Sequence, residues 1–349
     1  MHMATPPDDG GRTRPVTIND IAKLTNVAAS TVSRALNNPG RVNAVTRERI
    51  QAAARALNYV PNSQARALTS GRTGTIALFV SDVTNPFYFG LIRGTQHALK
   101  AASYAQLLID TENSGELEVE MLHKMRRSLD GAILAASRLS DQALANLTDE
   151  IPLVTINRNV RGMQSVVIDT PAGIRQAIEH LASLGHHDIV YVCGPANSWP
   201  NAARWQAMRN AASRLGLTVG RVGPFPPGQP SGPAAADAVL NTTATTCVVF
   251  NDLLAIGMLT RLRERGVRIP EDLSVVGCDD IFGADFCNPP LTTLTAPIER
   301  AGLVAVSMLL SRLSARSATE PVRQSVVLPT YLTVRDSTGP VPAGTRLAG

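Results

Sequence analysis

The amino-acid sequence predicts a chain in two parts, a small all-α unit followed by a larger α/β unit with two parallel-sheet lobes. Two observations carry this prediction. Between residues 18 and 57, apolar residues recur at helical spacing in three short segments. From Gly74 onward, short runs rich in valine, isoleucine and leucine alternate with helix-length segments, which is typical of parallel strands covered on both faces.

The three N-terminal helical segments are short and closely spaced. Their apolar positions are Ile18, Ile21 and Ala22, then Val32, Ala35 and Leu36, and then Ile50, Ala53, Ala54 and Leu57. Only a few residues around TNVAA separate the first segment from the second. That spacing predicts a helix-turn-helix, in which the first helix supports the second against the major groove of DNA.

The positive charge of the chain is concentrated in this N-terminal region. Residues 11–72 contain ten basic and two acidic residues, a net charge of +8, whereas the residues from 73 onward carry −1. This distribution indicates a module that binds a polyanion. A solvated basic surface has the same composition, so the charge alone does not distinguish these two interpretations.

Residues 62–71, NSQARALTSG, are a fourth helical candidate, with Asn62 as the N-cap and Gly71 as the stop. Such a helix is shorter than the roughly 12–15 residues that an isolated helix needs in water. We therefore expect it to form only when something else holds it.

The larger unit contains eight predicted strands, separated in most cases by helix-length segments. They are residues 75–80, 105–109, 131–135, 152–156, 165–168, 188–193, 246–250 and 273–278. Ligands of such folds bind at the carboxyl ends of the strands, which places the expected site between the two lobes.

Common enzyme and cofactor motifs are missing from the sequence. It contains no G-x-G-x-x-G after the opening strand, no G-x-x-x-x-G-K-[ST] and no G-x-S-x-G. Aspartates at strand ends have no accompanying nucleophile, and His180, His186 and His187 have no carboxylate or cysteine partners arranged around them as metal ligands. We therefore expect neither an enzyme nor a bound metal or cofactor.

The sequence also bears on the compartment. No apolar run approaches the roughly 18 residues that span a bilayer, and the first fifteen residues lack the apolar core of a secretory signal. The four cysteines have no CxxC spacing, which indicates buried thiols in a reducing compartment. We expect a cytoplasmic protein associated with the nucleoid and without a membrane partner.

Several motifs, in order along residues 16–337, resemble the lactose-repressor (LacI/GalR) family of bacterial transcription regulators. They are VTINDIAKLTNVAASTVSRALNN, VNAVTRERIQAAARALNYVPNSQARAL, VSDVTNPFY, LGHHDIVYVCGP, VVFNDLLAIGML, VRIPEDLSVVGCDD and PPLTTL. The resemblance implies a helix-turn-helix headpiece and a periplasmic-binding-protein-like sensor of two Rossmann-like lobes. It further implies a ligand-responsive repressor that binds a pseudopalindromic operator as a homodimer.

This resemblance also implies a division of the chain into segments. They are a disordered tail (1–15), a DNA-binding domain (16–61), a hinge helix with its linker (62–73), an effector-binding and dimerisation sensor (74–337) and a flexible tail (338–349). Within the sensor, the first lobe is expected at about 74–169 and 297–320, and the second at about 170–296 and 321–337. The C-terminal segment shows no leucine heptads like those of the tetrameric relative, which favours a dimer.

The operator contacts are likewise implied by the resemblance. Ala29, Ser30 and Arg34 match base-facing positions, and a guanidinium pairs well with guanine O6 and N7. Leu68 matches the leucine that wedges into a base step from the minor groove. The other expected contacts are Thr17, Ile18, Ala28, Thr31, Ser33, Asn37, Val42, Asn43, Thr46 and Arg66. The alternatives are that Arg34 touches only phosphate and that Leu68 packs against the sensor.

For the effector, the resemblance implies a cleft with many donors and acceptors and with aromatic faces. The expected residues are Asp82, Phe87, Tyr88, Asn157, Arg158, Asp169, Trp199, Arg204, Asn251 and Asp279. Such a set suits a polyhydroxylated ligand, and Trp199 or Phe87 can stack on a sugar.

A purine or nucleoside is the alternative effector. Ser198 and Pro200 replace an arginine and a threonine of the purine-responsive relative, which weakens this alternative. A solute-binding protein of a transporter is the alternative from another class, and the +8 segment and the missing export signal disfavour it. We expect His186, Asn85 and Pro86 to be structural.

Overall fold

The computed structural model describes residues 16–37, 39–60, 71–314 and 325–342. The chain divides into two compact units, Met1–Gly71 and Arg72–Gly349. None of the helices within the described ranges is long and apolar enough to cross a membrane.

The first unit contains the three predicted helices, α1 (Ile18–Thr25), α2 (Ala29–Asn37) and α3 (Ala44–Ala56). Their apolar faces meet in a small core of Ile21, Val32, Ala35, Ile50 and Ala53. Helix α1 ends at Asn26, whose backbone adopts the left-handed conformation with φ of 51°. Asparagine tolerates this conformation better than most non-glycine residues and can therefore end the helix here.

The second unit begins with a six-stranded, all-parallel sheet in the order β11-β5-β4-β3-β1-β2. Its strands are β1 (Thr75–Val80), β2 (Ala105–Asp110), β3 (Gly131–Ala135), β4 (Leu153–Ile156), β5 (Gln164–Ile168) and β11 (Ser325–Leu328). The helices of this lobe are α4 (Phe87–Ala101), α5 (Gly115–Met125), α6 (Asp141–Glu150) and α11 (Ile298–Ser314). Because helices cover the sheet, its central strands are almost wholly apolar.

A four-stranded parallel sheet, ordered β7-β6-β8-β9, forms the second lobe. Its strands are β6 (Asp188–Val192), β7 (Thr218–Val222), β8 (Thr246–Val249) and β9 (Ser274–Val276). Its helices are α7 (Thr170–Ser183), α8 (Trp199–Leu215), α9 (Gly232–Leu240) and α10 (Asp252–Glu264). A separate antiparallel pair joins β10 (Thr293–Thr295) to β12 (Tyr331–Thr333). The predicted fold class is confirmed.

All eight predicted strands are present, with ends that differ by no more than two residues. The remaining four, β7, β10, β11 and β12, were not predicted, because they are short or lie at exposed sheet edges where apolar runs are not required. One lobe assignment is wrong. Residues 325–328 were placed in the second lobe, but they pair with β5 and extend the sheet of the first.

The expected flexible tail is also wrong for its first residues, 338–342. The Gly339 N–H donates to Ser274 Oγ at 3.1 Å, and the Val341 N–H donates to the carbonyl of Leu184 at 2.9 Å. The fully buried His186 ring lies within hydrogen-bond distance of the Gly339 carbonyl (3.0 Å) and of Thr245 Oγ1 (2.8 Å). These bonds attach the segment to the second lobe, and they confirm the structural role predicted for His186.

Candidate functional site

Helix α2 presents two opposite faces. Val32 and Ala35 are fully buried in the core of the first unit, whereas Ser30 and Arg34 are exposed. Ser30 and Arg34 are four residues apart, so their side chains lie one above the other on the outer face. This is the geometry that a helix needs to present a hydroxyl and a guanidinium to the edges of bases.

Most of the other predicted DNA contacts lie on α2 itself, at the starts of α1 and α3, or against the core of the first unit. The N–H and the hydroxyl of Thr17 both donate to the Asp20 carboxylate, at 2.8 and 2.7 Å, and thereby fix the start of α1. Asn43 caps α3 by accepting from the Val45 N–H at 2.9 Å. Val42 and Ile18 pack against the core. Ala28 is exposed, while Ala29, Thr31, Ser33 and Thr46 are half-buried.

Three of the predicted contacts cannot be placed in this way. Asn37 is the last residue of α2, but its side chain lies outside the described part of the chain. Arg66 and Leu68, with the whole hinge-helix segment 62–70, also lie outside the described residues. Their roles stay predictions from the sequence.

A narrow cleft, partly open to solvent, lies between the two lobes of the second unit. Residues after the carboxyl ends of β1, β2, β3 and β4 form one wall, and residues after β6, β7, β8 and β9 form the other. Seven of the ten predicted effector residues line it, namely Asp82, Phe87, Tyr88, Asn157, Arg204, Asn251 and Asp279. The expectation that the site lies where strands of both sheets end therefore agrees with the geometry.

A buried ion pair crosses the floor of the second lobe. Arg204, 3% exposed, donates from Nη2 to Asp279 Oδ1 at 3.2 Å, and from Nη1 to the Phe250 carbonyl. Its guanidinium also lies over the Phe250 ring, 5.0 Å from the centroid. Burial raises the pKa of Asp279 to about 6, although the charge of Arg204 opposes this shift. Arg204 and Asp279 therefore place a guanidinium and a carboxyl group side by side in the lining of the cleft.

The loop that carries Asp279 is strained. Asp279 and Asp280 have positive φ angles of 121° and 52°, which non-glycine residues rarely adopt. Asp280 is held by the Arg335 guanidinium at 2.7 Å and by the Thr295 hydroxyl at 2.8 Å. Strain of this kind persists where surrounding contacts over-determine it, as is common at ligand sites.

On the first lobe, the cleft wall combines aromatic and amide groups. The Tyr88 hydroxyl and Ser81 Oγ are 2.5 Å apart, and Phe87 packs edge-on against Tyr88 with 5.1 Å between ring centroids. Asn157 has a left-handed backbone with φ of 57°, and its buried Oδ1 accepts no hydrogen bond from any described residue. A ligand hydroxyl is a suitable donor for this oxygen.

Three predicted effector residues do not line the cleft. Arg158 instead donates to Asp141 Oδ1 at 2.7 Å and to the Leu139 carbonyl at 3.0 Å. Asp169 caps α7 by accepting from the Ala172 N–H at 3.1 Å. Trp199 is the first residue of α8 and lies beside the cleft lining without belonging to it. The effector role of these three residues therefore stays a prediction from the sequence, and the cleft lining does not support it.

Other lining residues escaped the sequence argument, notably Asn113, Arg138 and Phe250. Arg138 comes three residues after the end of β3, and Phe250 directly follows β8. Their proximity to a strand end is the sequence signal that could have identified them. Asn85 also lines the cleft, and its Oδ1 accepts from the Phe87 N–H at 3.0 Å, in keeping with its predicted structural role.

Behind the cleft, Asp252 is fully buried at the start of α10. Its Oδ1 accepts from the Thr293 hydroxyl at 2.6 Å and its Oδ2 from the Ile281 N–H at 3.0 Å. Gly277 is required beside it, because a Cβ there would lie 2.1 Å from Asp252 Oδ1. Burial, together with the charge of Asp279, raises the pKa of Asp252 to about 7.

This carboxyl group predicts a pH dependence of stability. Its folded pKa exceeds the unfolded value of about 3.9, so its contribution is fully present below about pH 4 and is lost as the pH rises toward 7. We expect it to make the free energy of unfolding larger at pH 5 than at pH 8 by on the order of 2–3 kcal/mol. Asp252→Asn keeps an acceptor for Thr293 and should flatten this dependence.

Urea denaturation of both proteins at intervals between pH 5 and pH 8 measures the effect. His180 and His186 act in the opposite direction because burial lowers their pKa values, but they are common to both proteins. The difference between the two curves therefore reports Asp252 together with its effect on the neighbouring Asp279, whose pKa of about 6 falls in the same range. Parallel curves for the native chain and Asp252→Asn would show that the carboxyl is ionised throughout this range.

Comparisons with known proteins show which proteins have similar sequences. Residues 17–62 match the family described as "Bacterial regulatory proteins, lacI family", and residues 178–338 match the "Periplasmic binding protein-like domain". The chain is 32% identical to the HTH-type transcriptional regulator DegA of Bacillus subtilis, over 93% of this chain and 98% of DegA. It is 34% identical to the HTH-type transcriptional regulator CelR of Thermobifida fusca, over 93% and 99% respectively.

Solved structures show the same likeness. The lac repressor dimer bound to operator and the anti-inducer ONPF has a TM-score of 0.82 and 26% identity, over 93% of this chain and 100% of that chain. A complex of the transcriptional regulator CelR with cellobiose has a TM-score of 0.67 and 32% identity, again over 93% and 100%.

Proposed function

The chain belongs to the LacI family of bacterial DNA-binding transcriptional regulators, and from this premise we propose that it is a sugar-responsive repressor acting as a homodimer on a pseudopalindromic operator. Membership of the family makes it a regulator of transcription and not an enzyme. The observation that carries the proposal is a basic unit with an outward-facing Arg34, joined in one chain to a sensor with a polar cleft.

The chemistry of the cleft supports a polyhydroxylated effector. Asn157 offers an unused acceptor, Arg204 has an Nε without an acceptor among the described residues, and Phe87 supplies an aromatic face. Sugars need this combination, because each hydroxyl both donates and accepts while the ring carries apolar C–H faces. The similar CelR was solved with cellobiose, and a similar regulator from Enterococcus faecium with ribose.

A purine or nucleoside is the alternative effector for the same site. Ser198 and Pro200 line the cleft at the two positions where this chain departs from its purine-responsive relative. The Ser198 hydroxyl is used as the cap of α8, where it accepts from the Asn201 N–H at 3.4 Å. Neither residue offers a cation to a heterocycle, and for this reason we favour a sugar.

A thermal-shift screen of the full chain tests the effector class. A ligand that binds only the folded chain at about 100 times its dissociation constant adds about 2.7 kcal/mol of stability. We expect members of a panel of sugars and polyols to raise the melting temperature, and Asn157→Ala to reduce that rise. A rise with purines or nucleosides alone would replace the sugar proposal by its alternative.

Regulation requires that the cleft communicate with DNA binding. The two walls belong to different lobes, so a ligand that bridges Asn157 and Arg204 favours one angle between the lobes over others. In a dimer, that angle sets the spacing of the two DNA-binding units. Linkage is reciprocal, so an effector that weakens operator binding is itself bound more weakly by the operator complex.

The proposed dimer has a candidate apolar contact on the second lobe. Phe282 and Phe286 are 75% and 63% exposed, and their rings pack edge-to-face with 5.1 Å between centroids. Two exposed aromatic rings side by side are costly in water and typical of interface anchors. We expect the double substitution Phe282→Ser with Phe286→Ser to raise the dimer dissociation constant at least tenfold.

Sedimentation velocity over a range of protein concentrations measures this constant. Leu215→Ser is the matched control, because Leu215 is also apolar and 45% exposed but lies at the end of α8, outside the Phe282–Phe286 pair. If the double variant dimerises as tightly as the control, this pair of rings does not anchor the dimer.

A further inference from the structure

Arg138 is a cation whose hydrogen bonds are incomplete. It follows β3 on the first-lobe wall of the cleft and donates from Nη2 to Asn113 Oδ1 at 2.8 Å. Its Nε and Nη1 are buried, and no residue in the described ranges accepts a hydrogen bond from either. Leaving a buried charged donor unpaired costs several kcal/mol unless a partner arrives.

Within the described part of the chain, Arg138 makes no ion pair with any carboxylate, and the buried Glu118 carboxyl acts on its charge only at longer range. Arg204, the other guanidinium that lines the cleft, is paired with Asp279. Asp82 also lines the cleft, but its Oδ1 is turned into its own loop, where it accepts from the Thr84 N–H and hydroxyl at 2.9 and 2.5 Å.

Glu118 is the buried carboxyl group behind Arg138, and it contacts the main chain instead of the guanidinium. Its Oε2 accepts from the backbone N–H of Arg138 at 3.1 Å, while its Oε1 has no donor among the described residues. Burial raises the pKa of Glu118, which favours the neutral acid. Glu118 therefore positions the backbone of Arg138 and leaves the side chain available.

We propose that the effector carries an anionic oxygen group, a carboxylate or a phosphate, and that Arg138 binds this group through Nε and Nη1. The inference rests on the proposed role of the cleft as the effector site and specifies the class of ligand, an acidic or phosphorylated sugar. A guanidinium fork matches the two oxygens of such a group, and charge-assisted bonds of this kind are about twice as strong as neutral ones. The bond to Asn113 orients the fork.

The placement of acidic residues indicates which side of Arg138 the anion occupies. Glu116 and Glu120 line a broad outer groove that Arg138 and Asn113 also border, but neither acid lines the inner cleft. Two acids also line the inner cleft, but Asp279 is paired with Arg204 and Asp82 Oδ1 accepts within its own loop, so an anion meets less repulsion there than in the groove. We therefore place its charge in the inner cleft, on the same side as Asn157 and Phe87, which would contact the sugar ring.

Inorganic phosphate and acetate are the minimal probes, used with the full chain at constant ionic strength set by sodium chloride. We expect phosphate, acetate or both to raise the melting temperature of the native chain saturably. Arg138→Gln should weaken this response at least tenfold, and Arg138→Lys should keep part of it because the charge remains. Arg161→Gln, an exposed arginine of the same lobe, is the matched control and should respond like the native chain. Circular dichroism verifies that each variant is folded.

A second arm compares D-glucose with D-glucuronate and D-glucose 6-phosphate, which separates the neutral sugar from its carboxylate and phosphate forms. Equal responses of the native chain and Arg138→Gln to both anions would overturn the proposal. So would a neutral sugar that binds more tightly than its charged counterparts in an Arg138-dependent manner. Operator binding is measured separately, so its failure would contradict the regulator proposal without affecting the anion site.

Discussion

Replacing Arg204 with alanine is expected to lower the free energy of unfolding of the second unit by about 3–5 kcal/mol, because Asp279 is left buried without its cation. Arg204 also donates to the Phe250 carbonyl and covers the Phe250 ring, and both contacts are lost with the side chain.

The loss should depend on pH in a defined direction. The pKa of Asp279 is about 6 with Arg204 present, and removal of that cation raises it further. In the variant, Asp279 is therefore neutral in the folded state at pH 5. At pH 8 ionisation of this carboxyl favours the unfolded state more strongly than in the native chain, so the deficit grows as the pH rises.

Urea denaturation at both pH values measures the deficit. Arg209→Ala, an exposed arginine of the same helix, is the control and should change stability by less than about 0.5 kcal/mol. A deficit below about 1 kcal/mol for Arg204→Ala would mean that the ion pair contributes as little as a surface pair.

Replacing Arg34 with alanine is expected to cost about 1–3 kcal/mol at each half-site of the preferred operator, the usual value of a bidentate contact to guanine. Because this contact reads a base, the loss should be much smaller on unrelated DNA, and the sequence preference should relax at one position of each half-site. Arg34 faces outward from α2, so the fold of the first unit should be preserved.

Arg55→Ala removes an equal charge from the exposed surface of α3 and serves as the control. It should change binding to all sequences alike, and by less than Arg34→Ala does on the operator, because it removes only one charge from the basic surface. Binding of both variants is measured by fluorescence anisotropy on the operator and on a scrambled duplex. Equal losses on the two duplexes for Arg34→Ala would show that Arg34 touches only the phosphate backbone.

Much of the fold was predictable because buried positions require apolar residues, and the spacing of apolar residues indicates helices and strands. The strand Thr75–Val80 is covered on both faces, so its residues are almost all apolar and its ends were predicted correctly. The edge strand β7 is partly exposed, and its sequence, TVGRV, carries no comparable signal. β11 has ordinary strand residues, but its partner β5 lies far away along the chain, so the sequence did not reveal its lobe.

The candidate site was predictable where the residue type and the strand end agreed, as for Asn251 after β8 and Asp279 after β9. It was not predictable where a side chain had two possible directions. Arg158 directly follows the cleft residue Asn157, but it extends away to the Asp141 carboxylate. Asp169 could bind a ligand or cap a helix, and it caps α7. For Arg158 the partner lies 17 residues away, and for Asp169 the sequence fits both roles, so neither choice was settled by the local sequence.

The central claim is that this chain is a sequence-specific DNA-binding regulator. Its most direct test is to select a preferred duplex from a random library and titrate it with the full chain by fluorescence anisotropy. We predict a twofold-symmetric preferred site, a dissociation constant on the order of 10⁻⁸ M or below, and affinity that falls steeply with salt. A scrambled duplex should bind at least about a thousandfold more weakly at the same salt. Weak and equal binding to every duplex would contradict the claim.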